Sequence, residues 1–160
     1  MGLAVKNDNA DLVAVGWREW VRLPALGITR IKAKIDTGAR TSALHAFHVE
    51  AFDKDGENWV RFKIHPKQHR TDLEQVCEAR IKDERVVSDS GGHKEERYVI
   101  ETELEMAGRT WPIEITLTAR DDMRFRMLLG RTAMNDRLIV NPARSYLTRK
   151  SRLSAEGKKT

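Results

Sequence analysis

Along much of the chain apolar and polar residues alternate with a period of two. Ile31, Ala33 and Ile35 are separated by Lys32 and Lys34, and Val60, Phe62 and Ile64 by Arg61 and Lys63. Successive side chains of a strand point to opposite faces, so each run predicts a strand with one face in a core and the other in water. The same period recurs at Cys77, Ala79 and Ile81, at Tyr98, Ile100, Thr102, Leu104 and Met106, and at Ile113, Ile115 and Leu117. Turn chemistry separates the runs, at Leu23-Pro24-Ala25-Leu26-Gly27, Asp53-Lys54-Asp55-Gly56, Ser90-Gly91-Gly92 and Ala107-Gly108. Glycine supplies positive φ there, and Pro or Asp favours the bend. One short helix is predicted near 132–136, between Gly130 and the apolar Leu138-Ile139-Val140. Many short strands with so little helix predict a mostly β domain, a small barrel or sandwich rather than an α/β crossover fold. The pattern fills 12–148, and the polar stretches at 1–11 and 149–160 are expected to be flexible ends.

A chain of 160 residues fits one domain of the usual size, and aromatics spread from Trp17 to Tyr146 exclude a wholly disordered protein. No run of about 18 apolar residues and no basic-then-apolar leader occurs, so neither a membrane span nor export is expected. Lys6 stands where a myristoylation signal needs Ser or Thr. Cys77, the single cysteine, pairs with nothing internally and reads as a small core residue. A cytoplasmic location follows as the expectation.

The net charge of +5 raises nucleic-acid binding until the charges are located. Residues 144–160 carry Arg144, Arg149, Lys150, Arg152, Lys158 and Lys159 against Glu156 alone, which accounts for the whole excess. A neutral body with a basic tail reads as a solvated terminus, and nucleic acid is not the expected partner. No G-x-G-x-x-G or G-x-x-x-x-G-K-[ST] run offers a phosphate cradle.

Candidate chemistry begins where the strand ending at Ile35 runs into Asp36-Thr37-Gly38-Ala39. A strand end can hold a carboxylate at the mouth of a β framework, Gly38 allows close backbone approach, and the Thr37 hydroxyl can bond its surroundings. The same tripeptide also serves as an ordinary strand-to-turn cap. Met127-Leu128-Leu129-Gly130-Arg131, an apolar strand running into the short helix, is a second such element.

Taken in order, an apolar strand, Asp-Thr-Gly-Ala, a hairpin with a glycine-rich tip, apolar-apolar-Gly-Arg and a short helix resemble the retropepsin-like aspartic proteases. More narrowly, residues 33–46, Ala-Lys-Ile-Asp-Thr-Gly-Ala-Arg-Thr-Ser-Ala-Leu-His-Ala, look like the bacterial family named for an ATP-dependent zinc protease, often linked to RimK-type ATP-grasp glutamate ligases. The resemblance implies a closed β-barrel with one short C-terminal helix, and an aspartic peptidase acting on peptide or isopeptide-like amide bonds. It uses two carboxylates sharing one proton. With one Asp-Thr-Gly per chain, the two copies of Asp36 come from a homodimer. Thr37 then braces the site, Gly38 receives substrate backbone, and residues 90–93, with Gly91 and Gly92, form a flap over the bound chain. Ala39 adjoins the substrate, while Leu129, Gly130 and Arg131 support the site.

Arg40 departs from the retroviral pattern, which has an acid there. Its planar fork suits carboxylates, so glutamate-rich or polyglutamylated substrates are the expectation, with pairing to an internal acid as the alternative. A RimK-type ligase is a further expected partner. No cofactor is expected. Zinc is raised by the family's name, but no H-E-x-x-H exists, His45 and His48 point to opposite faces of a regular strand, and His65, His69 and His93 lie on expected loops, so surface histidines are the simpler reading. A non-catalytic peptide- or ligase-binding module is the main competing function, and a zinc-dependent hydrolase a weaker one.

Overall fold

The structure, a computed structural model, describes residues 11–67, 70–88, 91–120 and 124–148. Of the flexible ends expected over 1–11 and 149–160, all but Asp11 lie outside the described residues, as do His69 and Ser90. The elements are β1 (Val13–Val15), β2 (Arg18–Leu23), β3 (Ile28–Ile35), β4 (Ser42–His45), β5 (Phe47–Lys54), β6 (Glu57–Ile64), β7 (Gln75–Ser88), β8 (Lys94–Met106), β9 (Arg109–Thr118), β10 (Met127–Leu129), α1 (Arg131–Met134) and β11 (Leu138–Val140). The fold is mostly β, with one short helix.

The larger sheet runs β2-β3-β10-β4-β9-β8-β7-β6-β5. A further pairing of β2 with β8, at Arg22 and Glu105, returns the order to its start, so that β2, β3, β10, β4, β9 and β8 form a ring. Strands β5, β6 and β7 extend from that ring as successive antiparallel neighbours. The ring fills with the inward set foreseen from the alternation, including Ile31, Ala33, Ile100, Leu104 and Ile115, joined by Leu44, Met127 and Leu129. Each fully buried side chain of this size contributes about 1.5–3 kcal/mol by leaving water. Phe62, Ile64 and Cys77 extend the core under the outer hairpins, and burial pushes the Cys77 thiol up to about 11, which leaves it an unreactive core group.

Asp55-Gly56 and Ala107-Gly108 turn their hairpins with both residues at positive φ, the twist that matches paired strands. The helix begins one residue before the expected 132 and ends at Met134, where Asn135 leaves helical geometry. A separate parallel pair, β1 with β11, joins the two ends of the described domain.

Strand β2 carries the main departure from simple patterning. Its inward positions are Glu19, Val21 and Leu23, and Glu19 is 0% exposed. The carboxylate accepts hydrogen bonds from the backbone N–H of Gly16 (2.7 Å), Leu147 (2.8 Å) and Thr148 (3.1 Å) and from the Thr148 hydroxyl (2.8 Å). A buried charge is tolerated when its lone pairs are satisfied this way. Glu19 thereby clasps the C-terminal segment to β2. Gly16 is needed beside it, since a Cβ there would fall 2.2 Å from the Arg144 carbonyl oxygen.

Candidate active site

The Asp-Thr-Gly loop leaves β3 where that strand runs parallel to β10, with Ile35 opposite Leu129. The ladder continues one step past the strand, because the Asp36 N–H donates to the Leu129 carbonyl (2.9 Å). The loop then folds over the start of α1. The N–H groups of Arg131 and Thr132 donate to the carbonyls of Ala39 (2.8 Å) and Arg40 (3.0 Å), which uses donors the first helical turn leaves unpaired. The Arg131 guanidinium donates to the Thr37 carbonyl (3.0 Å), and the Ser42 hydroxyl accepts from the Gly130 N–H (3.0 Å).

Gly130 permits this closeness: a Cβ there would lie 2.6 Å from the Thr41 carbonyl carbon and 3.0 Å from the Ala39 oxygen. Both conspicuous motifs of the sequence are therefore one unit, with Leu129, Gly130 and Arg131 gripping the backbone of residues 36–41. Asp36 is half-buried, and its Oδ1 accepts the Gly38 N–H at 2.9 Å. Thr37, Gly38 and Arg40 are exposed, and Ala39 is half-buried. The carboxyl is thus oriented by its own loop while an open side faces solvent.

One hollow adjoins this loop and another adjoins the strand that leads into it. The first, of about 260 Å³, is lined by Leu12, Thr37, Arg131, Met134, Leu138 and Val140 among others, between the loop and the β1–β11 pair. The other, of about 240 Å³, is lined by Trp17, Lys34, Arg124, Phe125 and Leu128. Neither Ser42 nor the second hollow was apparent in the sequence. Ser42 lies in a strand buried on both faces, and Arg124 lies far from Lys34 along the chain.

Gly91 and Gly92 stand exposed at the tip of the long β7–β8 hairpin, beyond its last pair, Ser88 with Lys94. Glu95 anchors that end to β9: its carboxylate accepts from the Thr118 hydroxyl (2.8 Å), the Ala119 N–H (2.9 Å) and Arg97 (2.8 Å). Burial alone would raise the Glu95 pKa, but these donors outweigh it and hold the carboxyl below its usual value.

The histidines correct one expectation. His45 is not a surface residue: it is 4% exposed and packs in a three-ring cluster with Phe47 and His65, and Arg126 NH1 approaches its Nδ1 at 3.5 Å. The chain does bend at His48, where φ is 51°, but the bend brings its ring edge-on against Phe47. The His45 and His65 ring centroids stand 6.3 Å apart, and no group of three metal-ligating side chains occurs among the described residues. Among the described residues the donor set does not fit a zinc centre.

Residues 14–151 match the RimB-like family, described by its member the retropepsin-like aspartic endopeptidase RimB. The chain belongs to the RimB-like family. The matched span contains both the Asp-Thr-Gly loop and its Gly-Arg clamp. The chain is also 43% identical over 140 residues to a probable alpha-L-glutamate ligase of Shewanella pealeana, a match covering 88% of this chain and 30% of that protein. A protein of the same description from Desulfotalea psychrophila is 48% identical over 131 residues, 81% of this chain and 28% of its own length. The RimB-like chain thus spans under a third of these relatives. A crystal structure of a Legionella pneumophila protein of unknown function shares the fold, with a TM-score of 0.71 at 24% identity, covering 85% of this chain and 98% of that one.

Proposed function

We propose that this RimB-like chain is an aspartic peptidase that hydrolyses amide bonds in acidic, glutamate-rich or polyglutamylated polypeptides, with Asp36 from two subunits as its dyad. The observation that carries the reading is the clamped loop, in which Gly130 and Arg131 fix the backbone around a half-buried, solvent-facing Asp36. Two like charges a few ångströms apart cannot both ionise, so a pair of such carboxyls shares one proton. The ionised member takes a proton from water as it attacks the amide carbon, and the protonated one donates to the carbonyl oxygen. The amine then leaves with a proton returned from the dyad. Thr37 braces the loop through its backbone, Gly38 leaves room for substrate backbone, and the Gly91–Gly92 tip serves as the flap.

One chain supplies one Asp-Thr-Gly, so the dyad requires a homodimer. The β1–β11 pair supports a dimer contact, being a two-stranded sheet with outer edges open among the described residues and with Ile139 55% exposed. Such edges invite pairing with another chain. In this reading Arg40, which is exposed on the loop, meets an acidic substrate side chain.

The test is cleavage of glutamate-rich and polyglutamylated polypeptides by wild type and Asp36→Asn, each with and without chelator, alongside the mass in solution. Activity that resists chelator, vanishes with Asp36→Asn and belongs to a dimer is the expected result. A stable monomer without Asp36-dependent cleavage sinks the reading. A second reading has one specific support: relatives described as probable alpha-L-glutamate ligases contain the matching segment within a longer chain. In that reading the domain is a non-catalytic module serving a ligase, and polypeptide binding survives Asp36→Asn with no cleavage by either protein.

A further inference from the structure

We propose that the outward face of β2 and β3 is a docking track for an acidic polypeptide, leading past the hollow beside Lys34 toward Asp36. On β3 the inward set is Ile31, Ala33 and Ile35, so Arg30, Lys32 and Lys34 share the outward face. The Asp36 N–H keeps the ladder, so the next outward position in that row is Asp36 itself. Arg18 and Trp20 of β2 lie directly across from Lys34 and Lys32, on the same face. The row of cations therefore ends at the proposed reacting carboxyl.

Arg18, Arg30 and Lys32 are held by rings rather than by acids. The Arg30 guanidinium sits 3.9 Å from the Trp20 ring centre, and Lys32 Nζ lies 5.2 Å from Trp20 and 5.8 Å from Tyr146. Arg18 lies between Trp17 (4.6 Å) and Tyr146 (5.0 Å), with its Nε donating to the Ser145 hydroxyl. Among the described residues none of Arg18, Arg30, Lys32 and Lys34 is in a salt bridge. Cation–π contact fixes a charge without neutralising it, which leaves it available to an anion.

The occupant follows from charge and spacing. Alternate residues on a strand repeat every ~6.6 Å, the same interval at which an extended peptide presents alternate side chains, so a run of carboxylates can meet Arg30, Lys32 and Lys34 in register. The leading acidic side chain then enters the hollow walled by Trp17, Phe125 and Leu128, between Lys34 and Arg124. Single-stranded nucleic acid fits less well. It needs open aromatic faces for its bases, whereas Trp20 is stacked on Tyr146 at 6.1 Å and covered by Arg30. The direction of the track toward hydrolysis rests on the peptidase reading; its binding chemistry does not.

The test is anisotropy of a labelled deca-glutamate peptide with the full chain, the Lys32→Gln/Lys34→Gln variant, and a control of equal charge change, Lys63→Gln/Lys82→Gln, whose ammonium groups already meet carboxylates. Thermal melts confirm that each variant folds. Wild type is expected to bind, less tightly as salt rises, and the track variant to bind about tenfold more weakly, with the control within about twofold of wild type. No binding by wild type, an equal loss in the control, or tighter binding of a ten-nucleotide oligothymidylate overturns the track. Asp36→Asn separates the two ideas. Retained binding with no cleavage by wild type sinks the peptidase and leaves the track, whereas Asp36-dependent cleavage undiminished in Lys32→Gln/Lys34→Gln sinks the track and leaves the peptidase.

Discussion

On the hairpins from β5 to β9, cations lie against carboxylates: Arg61 with Glu78 and Glu50, Arg80 with Glu57, Lys82 with Glu101 and Glu114, Arg85 with Asp83 and Glu114, and Arg97 with Glu95. On β2 and β3 the same residue types lie against Trp17, Trp20 and Tyr146, and only Arg22, where β2 meets β8, finds a described acid in Glu105. The first surface is electrically closed and fixes strand register; the second keeps its charge exposed beside Asp36. A body that is neutral in sum is therefore divided in space. Composition locates the net charge in the tail, but the face that matters for an anionic ligand is made by pairing β2 with β3 and laying Tyr146 across them.

That contrast can be broken from the inside first. Glu19→Ala removes the clasp beneath the cationic face and leaves buried N–H groups of Gly16, Leu147 and Thr148 without acceptors. A loss of about 3–5 kcal/mol in urea unfolding is expected, since the acceptor of a whole buried network is gone. Gly130→Ala forces a Cβ into the backbone of Thr41 and is expected to cost about 1–3 kcal/mol by the same measurement, with cleavage lost as the loop shifts. Trp20→Ala is expected to cost about 1–2 kcal/mol, as a half-buried ring and its cation contacts disappear, and to weaken deca-glutamate binding.

Acid distinguishes the two surfaces without mutation. The Lys82 hydrogen bond, the largest effect, is opposed by burial, and with the help of Arg85 it holds the Glu114 carboxyl below its ordinary value of 4.5. A group depressed in the folded state stabilises above its unfolded pKa, and that stability is lost as pH falls through the folded one. The urea midpoint is therefore expected to fall below about pH 4.5, and Glu114→Gln to flatten that fall. Smallest of all, Lys82→Ala is expected to leave the urea midpoint nearly unchanged, because exposed pairs are weak.

The half-buried strands were legible because their periods are clean: β3, β6, β8 and β9 carry the inward residues read from alternation. Strand β2 escaped because its inward row begins with a charged residue, Glu19, whose partners lie far along the chain. Strands β4 and β5 escaped for opposite reasons, one being buried on both faces and the other mostly exposed on both. At the site, Asp36 and Gly130 were visible as motifs, but their contact is a matter of fold. The hollow beside Lys34 was invisible because Trp17, Lys34 and Arg124 meet only once β3 and β10 lie side by side.

The most direct test of the central claim, a dyad shared between two chains, is activity in mixtures of wild type and Asp36→Asn whose subunit exchange is verified by native mass spectrometry. At fixed total protein, activity is expected to fall as the square of the wild-type fraction, to about one quarter in an equal mixture, because only dimers with both carboxyls work. A linear fall to one half in fully exchanged mixtures would contradict it, since each chain would then carry a complete site of its own.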